Sequence, residues 1–360
     1  MTRHRVAAVQ AEPVWLDIEK TTEKTEHLIE SAARNGAELV AFPETWLPGY
    51  PVFLWSHPVY QQAPFVARFH ANSTAVDGEH IQRIRNCARH HGITVVLGFS
   101  EKDGGSLYMS QILIGTEGEV LQHRRKLKPT HAERTLFGEG DGSGLRVVDS
   151  AVGRLGALNC YEHLQPLSKF AMYAQNEQVH VAGWPCLGIL GQVPMLASEA
   201  VVAASRTYAY EGSAYVLLAS QIMSESGAEV FASASGEPCP IYTGGGGIAA
   251  VFAPDTTQLT TPLDPFEEGL VFADIDLQAI DLAKNFVDPA GHYARPDVTR
   301  LYVDGRPRHA FVHRLADEDA SEIEAPATVD QDGASVAPKQ SSDELPPASV
   351  PAVAVSPPAG

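Results

Sequence analysis

"RLGALNCYEHLQPLSKFAMYAQNEQVHVAGWP", residues 154–185, reads as a strand, a helix and a strand in succession. "RLGALNC" (154–160) is an apolar run ending at a cysteine. Residues 163–176 carry apolar side chains at helical spacing, and "QVHVAGWP" (178–185) is again strand-like. The same alternation recurs on both sides. Strand patterns are expected at 5–11, 37–44, 92–100, 107–115, 119–127, 214–220, 246–254 and 269–277, and helices at 17–35, 78–91 and 195–211. This interleaving predicts an α/β fold built in layers. The strands are too many for one small sheet, so two sheets or one very wide one is expected.

The chain has 360 residues, of which 44% are hydrophobic and 19% charged, as in ordinary globular proteins. Its formal net charge of −18 argues against nucleic acid or an anionic membrane surface as a partner. No segment approaches the run of about 20 apolar residues that spans a bilayer. The opening "MTRHRVAAVQAEP" is basic and then apolar, but it meets Glu12 and Pro13 too soon for a signal peptide. It is read as a first strand, and the protein as cytoplasmic. The four cysteines, Cys87, Cys160, Cys186 and Cys239, form no C-x-x-C pair and no zinc-type spacing, so each is expected as a free thiol. Composition changes near residue 316. From Ala316 to Gly360 there is no aromatic residue, and nine Asp/Glu stand against one Lys, giving −8 of the −18. Residues 1–315 are therefore expected to form the folded body, and 316–360 a disordered, acidic, Pro-rich tail.

Several chemistries are excluded by missing motifs. There is no G-x-S-x-G elbow and no G-x-x-x-x-G-K-[ST] loop, and "GEGDGSG" (138–144) lacks dinucleotide-binding spacing. "GGGG" (244–247) is read as a turn. Three features remain, each just past an expected strand, where side chains from distant sequence meet around pockets in α/β folds. In "FPETWLPGYP" (42–51), Glu44 lies among three prolines and three aromatics. A surface or capping role is the ordinary fate of a single Glu, but a carboxylate in so apolar a setting acquires a raised pKa suited to a general base. In "HRRKLKPTHAERTLFGEGDG" (123–142), Arg124 and Arg125 are read as a solvated basic face. Lys126 and Lys128 alternate along the strand and so share a side, where a lysine beside carboxylates could stabilise an oxyanion. Glu133 lies just beyond. Cys160 is the third feature. As core filler it would be inert; as a nucleophile it needs a cation and a base, because a free thiol is only a few per cent thiolate at neutral pH. His163 and His180 are read as structural.

The ordered set Glu44, Lys126, Cys160 resembles the nitrilase superfamily, and within it the branch that hydrolyses nitriles to acid and ammonia. "FPETWLPGYP", "RRKLKPTHAER…FGEGDGS" and "GALNCYEHLQPL" resemble its glutamate, lysine and cysteine motifs, in order, and "GHYARPDV" (291–298) is also branch-like. The likeness spans residues 5–305. It implies a four-layer αββα sandwich, with Glu44, Lys126, Cys160 and Glu133 as the catalytic set and Tyr161 and Trp184 at the substrate. It implies no metal and no organic cofactor, a small nitrile as substrate, and homo-oligomers in which dimers build a spiral. Residues 164–185 most resemble bacterial arylacetonitrilases. One departure stands out: this branch usually carries Trp after the nucleophile, and here the residue is Tyr161. Amidase branches often have Tyr there, so a cyanide hydratase or an amidase is the alternative within the fold. A catalytically silent scaffold is the alternative outside enzymes.

Overall fold

The computed structural model describes residues 2–189, 196–232, 239 and 241–308. The expected tail, 316–360, lies outside the described residues, as does the stretch 309–315 that was assigned to the body. Met1–Arg308 forms one compact unit.

The chain begins with β1 (Arg3–Ala11) and α1 (Ile18–Arg34), whose first turn is capped by Asp17 accepting from the Lys20 N–H at 3.0 Å. Next come β2 (Leu39–Ala41), two short helices α2 (Phe53–Ser56) and α3 (Ala63–Ala71), and α4 (Glu79–His91). Gly92, at φ +61°, ends α4 in the left-handed conformation that glycine adopts without steric cost. Then β3 (Thr94–Asp103), β4 (Ser106–Ile114) and β5 (Val120–Arg125) form a meander, and β6 (Phe137–Gly138) adds to β4. The second half holds β7 (Val148–Ser150), β8 (Gly153–Asn159), α5 (Pro166–Tyr173), β9 (Val179–Cys186), α6 (Ser198–Gly212) and β10 (Tyr215–Gln221). It closes with α7 (Glu225–Glu229), β11 (Ala250–Phe252), β12 (Gly269–Asp276) and α8 (Gln278–Lys284).

The strands make two sheets that meet at one corner. One runs β5–β4–β3–β2–β1–β12 and the other β7–β8–β9–β10–β11. Their junction is the tip of β1, where Gln10 and Ala11 pair with Ser220 and Gln221 of β10. Period-two alternation then assigns each strand's faces. Val6 and Ala8 of β1, Val179 and Val181 of β9, and Leu217 and Ala219 of β10 fill the space between the sheets. Ala7 and Val9 face outward with Ile29 of α1 and Ile84 of α4. Ala182, Val216 and Leu218 face outward under α5 and α6. The result is the four-layer αββα sandwich that the resemblance implied.

Local differences from expectation have local causes. The expected strand 37–44 stops at Ala41, because Pro43 has no N–H for the ladder. The expected helix 163–176 is a 3₁₀ turn, Cys160–Leu164, followed by α5, since Pro166 disfavours helical backbone at Gln165 and itself suits a first helical position. The expected strand 119–127 ends at Arg125, so Lys126 leaves the sheet. Helices α2 and α3 carry no periodic signal long enough to be read.

The core between the sheets sets the separation on which the site depends. Leu217→Ala, at a fully buried position facing both sheets, is expected to cost about 2–5 kcal/mol in urea unfolding.

Candidate active site

Glu44 sits in the loop that leaves β2. A side chain at position 98 would block this loop: a Cβ on Gly98 would lie 2.2 Å from the Pro43 carbonyl oxygen and 3.0 Å from the Glu44 Cα. The loop is held from the other sheet. Gln221, at the end of β10, donates from Nε2 to the Glu44 carbonyl at 2.7 Å and accepts the Tyr50 N–H at 3.2 Å. Trp46 anchors the far side through Nε1 to Thr25 Oγ1 of α1 at 2.7 Å.

Lys126 is one residue past β5, on the inward side with Gln122 and Arg124. Its ammonium donates to Glu44 Oε1 at 2.8 Å and to Glu133 Oε2 at 2.7 Å, and all three side chains are shut off from solvent. Glu133 lies in the 3₁₀ turn His131–Thr135, where its carboxylate also accepts the Thr130 N–H at 2.6 Å. Tyr50 donates its hydroxyl to Glu133 Oε1 at 2.8 Å and receives Trp55 Nε1 at 3.0 Å. Glu133 thus takes three donors. Glu44 takes Lys126 alone, and its Oε2 is buried with no hydrogen-bond partner among the described residues. Lys128 does not share the side of Lys126. The strand has already ended, and Lys128 is exposed and pairs with Glu139.

Cys160 opens the 3₁₀ turn after β8, half-buried, with φ at +44°, a strained value for a residue with a side chain. Glu162 holds this turn. Its carboxylate accepts the Asn159 N–H at 2.8 Å, the Leu127 N–H at 3.0 Å and an Arg124 Nη2 at 2.6 Å. One carboxylate therefore fastens the cysteine turn to the lysine segment. Arg124 is not part of a solvated face, as the sequence suggested: its side chain is fully buried, with Nη1 on Gln111 Oε1 at 2.7 Å. Arg125 is partly exposed, paired with Glu101 and stacked 3.7 Å over the Tyr108 ring.

The electrostatics follow from burial and neighbours. Burial pushes Glu44 up, Lys126 pulls it back and Glu133 pushes it further, leaving it at about 8. Burial and the charge of Glu44 push the Cys160 thiol well above its usual value, against Lys126 and the Tyr161 N–H. Burial opposes the Lys126 cation, but Glu133 and Glu44 outweigh it and hold the ammonium firmly protonated. The arrangement is a resting thiol beside a strong buried base and a fixed cation. It can make a thiolate on demand and stabilise an anion formed next to it.

A cavity of about 610 Å³ lies along the residues that follow Lys126 and Cys160, lined by Leu127, Lys128, Pro129, His131, Tyr161 and Gln165 among others. Tyr161, 39% exposed, stands at this mouth. Trp184 lies elsewhere. It is buried under α6, donating to Ser205 Oγ at 3.1 Å and stacked on His163. The structure thus joins Glu44, Lys126 and Glu133 directly, sets Cys160 within their field, and places Trp184 in the layer behind the cysteine. Glu162, Gln221 and Tyr50 were not singled out from sequence. A signal existed for Glu162: "NCYE" (159–162) and "THAE" (130–133) both carry the spacing of a capping box, and in each turn the Glu carboxylate accepts the N–H of the residue three before it.

Residues 5–285 match the model of the carbon-nitrogen hydrolase family. The chain belongs to this family. A relative described as aliphatic nitrilase, from Rhodococcus rhodochrous, is 49% identical over 304 residues, 84% of this chain and 83% of that protein. One described as arylacetonitrilase, from Aspergillus kawachii, is 46% identical over 327 residues, 90% of this chain and 97% of that protein. Among solved structures, the C. elegans NitFhit protein superposes with a TM-score of 0.65 at 20% identity, covering 86% of this chain and 69% of that one. That likeness is one of family fold.

Glu162→Ala leaves Arg124 buried without its carboxylate and frees the Asn159 and Leu127 N–H groups. Removing one partner of a buried ion pair costs about 3–5 kcal/mol. Chemical denaturation is expected to show a loss of that order, with turnover falling in the protein that remains folded.

Proposed function

We propose that the chain is a nitrilase that converts organic nitriles, arylacetonitriles among them, to carboxylic acid and ammonia, with Cys160 as nucleophile. The observation that carries this reading is the buried Lys126 ammonium bridging Glu44 and Glu133, with Glu44 Oε2 unpartnered. Glu44 takes the Cys160 proton, and the sulfur attacks the nitrile carbon. Lys126 stabilises the charge that develops on nitrogen, with help from the Tyr161 N–H. Protonation gives a neutral thioimidate. Water activated by Glu44 adds to it; the tetrahedral species expels ammonia and leaves a thioester. A second water hydrolyses the thioester to the acid and restores the thiol. Glu133 orients Lys126. The names of the relatives divide between aliphatic and aryl substrates. Leu127, Pro129 and Tyr161 give the mouth apolar surface beside the polar Lys128, His131 and Arg134, and that surface supports the aryl choice; Trp184 acts from behind Cys160 by packing. Ammonia release measured across arylacetonitriles, benzonitriles and aliphatic nitriles tests the reading, and an amide product alone would point to a hydratase.

The reading extends to a homo-oligomer in the cytoplasm. Among the described residues no helix is long and apolar enough to cross a membrane. The exposed side chains Tyr210, Leu282 and Phe286 line one apolar groove that a second copy could cover.

Three outcomes are expected. Cys160→Ala abolishes turnover, and intact-mass analysis of enzyme quenched on a slow nitrile finds the adduct on the peptide carrying Cys160. Lys126→Ala lowers kcat by about 10²–10³ or more, since it removes an anion-stabilising group that is a full charge. In a pH profile, kcat/KM is expected to rise toward about pH 8: Glu44 is inactive as a base while protonated and gains activity as pH passes its value of about 8.

A further inference from the structure

Behind the nucleophile lies a line of buried groups that the mechanism above does not use. His163 Nδ1 is 2.8 Å from the carbonyl oxygen of Cys160. His163 Nε2 is 2.9 Å from His180 Nε2, His180 Nδ1 is 2.7 Å from Glu177 Oε1, and Tyr208 places its hydroxyl 2.6 Å from Glu177 Oε2. All four side chains are buried. Three of them sit on defined elements: His163 in the cysteine turn, His180 in β9, and Tyr208 in α6 with its ring stacked 3.8 Å from that of His180; Glu177 lies in the loop before β9.

The direction of these bonds is fixed from one end. A carbonyl oxygen only accepts, so His163 carries its proton on Nδ1. In the neutral ring Nε2 then accepts, and His180 must donate from its own Nε2. The neutral His180 ring is left with a bare Nδ1, which needs a donor, and only a protonated Glu177 supplies one. Tyr208 donates to the remaining Glu177 oxygen. We propose that Tyr208, Glu177, His180 and His163 form a one-way hydrogen-bond chain that holds the Cys160 carbonyl, and that the single proton shared by Glu177 and His180 keeps the chain pointing at it. The proposal rests on Cys160 being the nucleophile. All four are positioning residues, because they act on the strained turn at Cys160 and not on substrate.

Loss of that proton has a definite consequence. With Glu177 ionised, His180 turns its one proton toward Glu177. His180 Nε2 is then bare, and His163 must donate to it from Nε2. His163 Nδ1 becomes a lone pair facing the Cys160 carbonyl, and the bond that held the turn becomes a repulsion. The surroundings favour the protonated chain. Burial raises Glu177 to about 8, with Tyr208 opposing. Burial and the neighbouring His180 lower His163 to about 3. Burial and then Arg124 lower His180, against Glu162. The charged or titratable groups facing the chain are Arg124 from the β5 side, Glu162 and Cys160 from the turn, Tyr173 from α5 and Tyr208 from α6. None of them stands close enough to Glu177 as a cation to stabilise its carboxylate.

Three variants test the chain, each assayed for kcat and KM across pH on a nitrile that the wild-type enzyme turns over. Glu177→Gln keeps every bond, since its amide N–H donates to His180 and its carbonyl accepts from Tyr208, but it cannot ionise. It is expected to hold kcat near wild type at neutral pH and to move the alkaline limb of kcat upward by about one pH unit or more. Its unfolding midpoint should match wild type below pH 4.5 and exceed it increasingly up to about pH 8, because only wild type then keeps an acid protonated that the unfolded chain ionises. His163→Leu removes the donor to Cys160 and is expected to lower kcat by on the order of tenfold or more with KM little changed. His163→Asn restores a donor at the Nδ1 position and should recover most of that loss. The proposal fails if Glu177→Gln keeps the wild-type alkaline limb or does not fold, or if His163→Asn is no better than His163→Leu. If His163→Leu is insoluble, the Glu177→Gln profile decides alone. Wild-type enzyme inert toward every nitrile would instead overturn the functional reading.

Discussion

The buried ammonium of Lys126 is the constraint on which the site depends. A cation shut off from water is tolerated only with anions against it, and here it has two, Glu44 and Glu133. Two carboxylates around one cation leave the group with one negative charge too many. The surroundings settle the excess unevenly. Glu133 collects Tyr50 and the Thr130 N–H besides Lys126, whereas Glu44 keeps one oxygen free. The donor-rich carboxylate orients the lysine, and the donor-poor one holds the affinity for a proton. Similar carboxylates acquire different roles through environment alone.

The second pair, Arg124 and Glu162, does for the backbone what the first does for the chemistry. Glu162 receives N–H groups from Asn159 and from Leu127, so the cysteine turn and the lysine segment share one acceptor. Arg124 makes that acceptor affordable in the interior, and Gln111 ties Arg124 to β8 through the Leu158 carbonyl. Burial acts against the Glu162 anion, but Arg124 and the two N–H groups hold its pKa below the usual value. The strained φ of Cys160 is thus imposed by a lattice of bonds, one side from Glu162 and the other from His163.

This layout gathers the clustered side chains from both sheets. Glu44, Lys126 and Glu133 approach from the first sheet and its loops, Cys160 from the second. Tyr161 lies on the open side of the cysteine and Trp184 on the closed side, stacked with His163. Tyr161 therefore faces the cavity, while Trp184 touches only the packing that supports the turn.

The order of motifs along the chain determined the family and singled out Glu44, Lys126, Glu133 and Cys160, of which the structure joins the first three directly. Strand periodicity determined the layered α/β class, because alternation of apolar residues is a local property of each strand. Local rules also set particular boundaries, as at Pro43 and Pro166. What only the tertiary structure decided is which polar groups meet. Arg124 looks like its partly exposed neighbour Arg125 in sequence, and is buried only because β5 turns that side toward Gln111 and Glu162. Lys126 and Lys128 look equivalent, and differ because the strand ends at Arg125: Lys126, whose N–H still reaches the Met109 carbonyl, keeps the inward side, and Lys128 does not. Gln221 reaches the Glu44 loop from 177 residues away, and His180 meets His163 across a sheet edge. Such partners carry no periodic signal, since a hydrogen bond between distant segments depends on where two strands are brought together and not on the residues beside either one.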